Sequence, residues 1–210
     1  MCTRANIASV LVVLFCLPLC FCADGPETAE QVSADPASVS QAVDGNNRFA
    51  WELYEKLLKE KKGKNMFFSP TSISTALAMT YAGAKGDTAK EMAKVFHFDL
   101  AKAKLHLAYR KMLNDLNDPD AEQSKQYELT VANALWGQKG YKWLNSFMNV
   151  TKKNYGAGLQ EVDFARETEK ARVTINRWVE KKTNNKIKDL IPNPDKPEKN
   201  SEPPRREDTK

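Results

Sequence analysis

The residues of this chain able to do chemistry are two histidines, four cysteines and a dense group of hydroxyls. Ser69, Thr71, Ser72, Ser74, Thr75 and Thr80 all fall between Met66 and Ala84, nineteen residues without a charge. A serine nucleophile needs a base within hydrogen-bond reach, and neither His97 nor His106 stands in a pattern that supplies one. His97 lies between Phe96 and Phe98 at an expected helix end, which suits a structural role. No G-x-S-x-G elbow, phosphate-binding glycine loop or dinucleotide fingerprint occurs. Neither histidine has metal-ligand spacing with another His, a Cys or paired carboxylates, so neither a metal nor a cofactor is expected. An enzyme is not expected either.

The hydroxyls therefore need a structural account. An uncharged run of nineteen residues is close to the lower limit for a membrane span. Ser69, Thr71, Ser72, Ser74 and Thr75 lower its hydropathy too far, so a helix buried in protein is expected and no membrane contact. Ser69 is placed to cap it, with Pro70 at the first helical position. Ile73, Ala76, Leu77 and Ala84, with Thr80 and Tyr81, recur at helical spacing. A buried hydroxyl without a partner costs about 1–3 kcal/mol. Ser69 and Ser72 are thus expected to bond to a neighbouring element, the alternative being capping and back-bonding within the helix.

Other elements follow from periodicity. Helix one is expected from Ser40 to Lys61, with rows Phe49, Leu53, Leu57 and Trp51, Tyr54, Leu58. Met66 to Phe68 is a strand candidate. Thr88 with Glu91 makes a capping box before Met92, Val95 and Phe96. Leu105, Tyr109, Met112 and Leu116 mark a helix ended by Asn117-Asp118-Pro119. Tyr127 to Trp136 alternates, with Tyr127, Leu129, Val131 and Leu135 on one face and Asn133 interrupting it. A buried Asn133 must be hydrogen-bonded, unless it lies near the strand edge and meets water. Leu144, Phe147 and Thr151 face inward on a short helix, Leu159 to Phe164 is a strand, and Ala171, Ile175, Trp178 and Val179 mark the last helix.

The ends carry a different message. Arg4, the apolar run from Ile7 to Phe21, and small residues Cys20 and Cys22 read as a secretory signal peptide over 1–22. All four cysteines, Cys2, Cys16, Cys20 and Cys22, lie there, so its removal would leave no disulfide or thiol chemistry. Residues 23–39 read as a flexible leader with Pro26 and Pro36, and 192–210 as a disordered tail with balanced charge. The net charge of +5, with basic and acidic residues interspersed, argues against nucleic-acid binding. Hydrophobic content of 41% allows a packed core. Asn149-Val150-Thr151 is a sequon, so a glycan on Asn149 is expected in a secreted chain.

The segment NMFFSPTSISTALAMTYAGAKGDT resembles the strand–helix–helix block near the start of serpins. The resemblance continues, in the family's order and spacing, through YELTVANALWGQKGY, LQEVDFA and ARVTINRWVEKKTNNKIKDLI, and spans about 40–191. It implies an α+β fold: the helix-rich N-terminal half of a serpin with a few strands of an incomplete central sheet. It also implies inhibition of an extracellular serine protease by a full-length form. In that mechanism a cleaved reactive loop inserts into the central sheet and traps the acyl-enzyme. Residues matching Ser69, Ser72 and Asn133 lie in such relatives where the sheet parts. Some serpins bind glycosaminoglycans through the helix matching this chain's Lys102, Lys104, Arg110 and Lys111, but Asp99, Asp115 and Asp118 dilute that charge, so a solvated face is favoured. The pattern departs from the family after Ile191, before the next strand of the central sheet and the loop. The expectation is a chain that does not inhibit alone, the alternatives being a non-inhibitory binding fragment and an unstable truncated product.

Overall fold

A computed structural model describes residues 34–61, 63–117, 128–156 and 158–195, and the backbone of 6–14. In chain order its elements are β1 (Asn6–Leu14), α1 (Pro36–Glu60), α2 (Pro70–Tyr81), α3 (Gly86–Phe96), α4 (Lys102–Leu116), β2 (Glu128–Gln138), α5 (Asn145–Tyr155), β3 (Leu159–Val162) and α6 (Thr168–Lys182). β2 is the middle strand of a sheet ordered β1-β2-β3. Both pairings are parallel: β1 runs from Asn6 opposite Glu128 to Leu14 opposite Trp136, and β3 from Leu159 opposite Leu135 to Val162 opposite Gln138.

Side chains alternate along a strand, and on β2 each face meets its own core. Ala134 and Trp136 pack with Val162, Ala171 and Ile175 under α6. Leu135, on the other face, joins Ala76, Met79 and Tyr81 of α2, Leu105 and Tyr109 of α4, and Tyr155 of α5. The α+β architecture expected from the sequence is therefore present, with helices on both sides of one strand. Ser69 caps α2 as expected, its Oγ accepting from Ser72 N at 3.2 Å, with Pro70 in the first turn. The burial of α2 is wider than one stripe, because Ser72, Ser74, Thr75, Ala76, Ala78, Met79 and Tyr81 are all buried.

Several expectations are corrected. In the 210-residue chain, residues 6–14, within the expected signal peptide, form β1 and pair with one edge of β2. The expected leader gives up residues 36–39 to α1, which begins at Pro36 because Asp35 caps it, accepting from Ser38 N at 2.8 Å; residues 23–33 lie outside the described residues. Met66 to Phe68 is not a strand, since no neighbour pairs with it, and Phe67 is 84% exposed. α3 starts at Gly86 rather than after Thr88, and its N-cap position, Lys85, makes no side-chain capping bond, so Thr88 does not cap the helix. Trp51, Tyr54, Leu58, Val95 and Leu144 are exposed, because the helices carrying them bury only their other faces. Asp118, Pro119, Tyr127 and the tail from 196 lie outside the described residues.

The corner between α1 and α3 is close-packed. Phe49 meets Phe96 edge-to-face with centroids 5.1 Å apart. Glu52 Oε1 lies 3.0 Å from His97 Nε2, and Arg48 pairs with Asp99. Gly45 allows the approach, because a Cβ there would lie 2.5 Å from the backbone oxygen of His97, which caps α3 in the left-handed region at φ 52°. In an open helix interior alanine is favoured over glycine by about 1 kcal/mol. Here the added methyl has to displace backbone, so Gly45→Ala is expected to reverse that sign and lower stability by about 1–3 kcal/mol. The check is the urea midpoint at unchanged slope; a raised midpoint would contradict the close contact.

Candidate functional site

The buried hydroxyls of α2 and the buried titratable groups of α4 and α5 form two cross-element pairs beneath β2. Ser74 Oγ is hydrogen-bonded to Tyr109 OH, joining α2 to α4. His106 Nδ1 lies 2.7 Å from Tyr155 OH, joining α4 to α5. The Tyr109 and Tyr155 rings stand 6.3 Å apart, so the two pairs are contiguous. Burial pushes the Tyr109 phenol up to about 12 despite its bond to Ser74, and raises Tyr155 well above the usual range. Burial also pushes His106 down to about 4, with the nearby Lys102 charge adding to the effect. At neutral pH the cluster is uncharged: both phenols keep their protons, and the neutral His106 meets Tyr155 while Ser74 meets Tyr109.

The residues singled out in the sequence are placed differently from one another. Ser69 and Ser72 bond to each other, Oγ to Oγ at 3.1 Å, so the local capping arrangement holds at Ser69. Thr71 Oγ1 accepts from Asn46 Nδ2 at 3.4 Å, tying α1 to α2. Asn133 is buried, but neither its Oδ1 nor its Nδ2 has a hydrogen-bond partner. The side chain faces the helix layer, and no donor or acceptor of the described residues is within hydrogen-bond distance of it. No hydrogen bond joins it to Ser69 or Ser72 among the described residues. The described residues show a further interhelix bond from a hydroxyl that the sequence reading did not single out for one. Ser74 makes it, and the His106–Tyr109 spacing of three on α4 was the available signal.

Of the four basic residues of α4, Lys102 and Arg110 are half-buried, whereas Lys104 and Lys111 are exposed. Lys102 Nζ donates to Ala84 O and lies 4.6 Å from the centre of the Tyr81 ring, and its pKa is lowered mainly by burial. Lys111 is paired with Asp115. Asn149 is exposed on α5.

Three amide side chains, none of them marked by the sequence, stand in for missing strand partners. Asn117 Oδ1 accepts from Val131 N at 2.8 Å while its Nδ2 donates to Val131 O at 3.1 Å. Gln138 Oε1 accepts from Phe164 N at 3.0 Å. Asn176 brackets Ile191 in the same way as Asn117 brackets Val131, with both bonds at 2.9 Å. No described helix is long and apolar enough to cross a membrane, and no group of three metal-ligating side chains occurs among the described residues.

Comparison with known proteins accounts for this arrangement. Residues 44–200 match the family model described as Serpin (serine protease inhibitor). The chain is 39% identical over 153 residues to the leukocyte elastase inhibitor of Homo sapiens, covering 73% of this chain and 39% of that one. It is 37% identical over 163 residues to an uncharacterized serpin-like protein of Methanosarcina acetivorans, covering 77% and 38%. A solved structure of cleaved kallistatin complexed with heparin aligns with a TM-score of 0.62 at 30% identity, covering 73% and 44%. The chain thus spans about two fifths of the length of the curated relatives it matches.

The buried His106 sets a pH dependence. In an unfolded chain it titrates near 6.5, but in the fold it stays neutral down to about pH 4. Between those values the unfolded chain binds a proton that the folded chain does not, so stability falls as pH drops from 6.5 toward 4. The full loss is about 3 kcal/mol. Urea midpoints measured from pH 7 to 4.5 should fall for the unaltered chain and fall less steeply for His106→Gln; equal slopes would sink the assignment.

Proposed function

Because the chain belongs to the serpin family, we propose that it carries the N-terminal half of a secreted inhibitor of serine-type endopeptidases, and that these 210 residues do not inhibit by themselves. The observation that carries this reading is the match to a named elastase inhibitor over only 39% of that relative's length. Serpin inhibition works by inserting a cleaved reactive loop into a large central sheet. Here the sheet has three strands among the described residues, and both edges of its middle strand are already paired. The chain is read as an inhibitor scaffold rather than an enzyme; its buried tyrosines and histidine favour this, because none is poised to activate a nucleophile.

Secretion is supported by the apolar run behind Arg4 and by the confinement of every cysteine to the first 22 residues. The exposure of Asn149 on α5 fits a glycan acceptor. The heparin in the kallistatin structure raises polyanion binding as a reading for α4. The division of Lys102 and Arg110 from Lys104 and Lys111 argues against one patch, so no glycosaminoglycan site is assigned. A second reading, a non-inhibitory binding fragment, draws on Trp51 and Phe67, exposed by 69% and 84%.

Two experiments test the main reading. The chain mixed with trypsin-, chymotrypsin- and elastase-like enzymes should give no SDS-stable covalent complex, and one such complex would overturn the loss of inhibition; a cooperative melting transition in the same sample would separate a folded binding fragment from an unstable product. Expressed in secretory cells, the protein recovered from the medium should begin near Ala23 and lose one glycan's mass on Asn149→Gln. Retention in the cell with an intact N-terminus would overturn secretion.

A further inference from the structure

The C-terminal half of α4, the middle of β2 and the end of α5 line a half-open cleft of about 240 Å³ that the inhibitor reading does not use. Its lining is unusually polar: Arg110 and Asn114 from α4, Asn133 from β2, and Lys153 and Asn154 from α5 all reach it. Among the described residues no carboxylate lines it. Arg110 and Lys153 enter no ion pair among the described residues.

Two of the amides are buried without full partners. Asn133 is 7% exposed with both polar atoms unpaired, and Asn154 is 8% exposed with Oδ1 unpaired while its Nδ2 donates to Val150 O at 2.9 Å. Each unmade bond of this kind costs about 1–3 kcal/mol, a cost that a ligand with matching groups would remove. The charge balance fixes the ligand's sign. α4 and α5 both end at the cleft, each contributing roughly half a negative charge. Two full positive charges exceed that, so the site remains positive.

We propose that this cleft binds a small organic anion, its oxyanion group between Arg110 and Lys153 and a neighbouring hydroxyl against the free amides of Asn133 and Asn154. The volume is below the roughly 300 Å³ at which drug-sized pockets begin, which restricts the ligand to a compact molecule. A bound anion would join α4, α5 and β2 through one set of contacts, and so stabilise the strand on which the two cores meet.

The test uses the full chain at fixed ionic strength. Lactate, glycerol 3-phosphate and neutral lactamide are titrated while the side-chain amide resonances of Asn133 and Asn154 and the melting temperature are followed. At least one anion should move both resonances saturably and raise the melting temperature, while lactamide does neither; the tighter of the two anions identifies carboxylate or phosphate as the recognised group. Lys153→Gln, at an exposed position, should weaken binding about tenfold, and Lys104→Gln, outside the lining of the cleft, should leave it unchanged. Asn133→Leu removes the unpaired amide, so it should raise the melting temperature without anion and abolish the anion's effect. The proposal is overturned if neither anion acts saturably, if lactamide matches them, or if Lys104→Gln weakens binding as much as Lys153→Gln.

Discussion

Every residue of β2 from Ala132 to Gly137 is buried, and each cover over that strand comes from a different part of the chain. α6 covers one face and α2, α4 and α5 the other. β1 and β3 take the edges, with Asn117 bonding Val131 beside them. A parallel strand buried on both faces is usually rich in branched apolar residues. This one instead carries Ala132, Ala134 and Gly137, because large partners come to it: a Cβ on Gly137 would lie 2.5 Å from the Trp143 ring, and Trp178 meets Trp136 edge-to-face at 6.1 Å. The small residues on β2 and the large ones facing it are two sides of one packing solution.

The same logic explains the uncharged helix. α2 runs under β1 and β2 and has no solvent face wide enough for a charge. Serine, threonine and alanine let the sheet approach closely, and the hydroxyls are satisfied mainly by local bonds and by Tyr109. The exception on α2 is Thr75 Oγ1, and on β2 both polar atoms of Asn133 and the Trp136 Nε1 are unpaired as well. Against a net stability of 5–15 kcal/mol for an ordinary domain, unpaired groups costing about 1–3 kcal/mol each are a substantial fraction. That cost is held in the folded chain. Any arrangement that pairs the amide then releases it.

Much of this was legible in the sequence where one local rule sufficed. Ser69-Pro70 placed the start of α2, and the spacing of Leu105 and Tyr109, or of Ala171, Ile175 and Val179, named residues that are buried. What escaped depends on contacts distant in sequence. Trp51 and Val95 read as core because periodicity gives a face without saying whether anything covers it. The bracketing amides Asn117, Gln138 and Asn176 looked like loop or surface polar residues, since their partners lie 14 to 26 positions away. At Asn133 the sequence correctly showed a polar residue on a buried face. It was silent on the missing partner, because that depends on what α4 and α5 leave open.

The edge of β2 facing β1 ties processing to folding. Nine residues of β2 are paired there with 6–14, the segment whose composition reads as a secretory leader. If the leader is cut, those nine positions lose their strand, and an unpaired parallel edge is a template for any extended chain that reaches it. Face-to-face packing cannot substitute, because both faces of β2 are already covered and the exposed groups are backbone N–H and C=O. Secretion and a stable sheet are therefore compatible only if another strand takes the place of β1. The requirement follows from backbone hydrogen bonding alone. It makes the neighbour of β2 on that side, rather than the helices, the part on which the state of the whole fold depends.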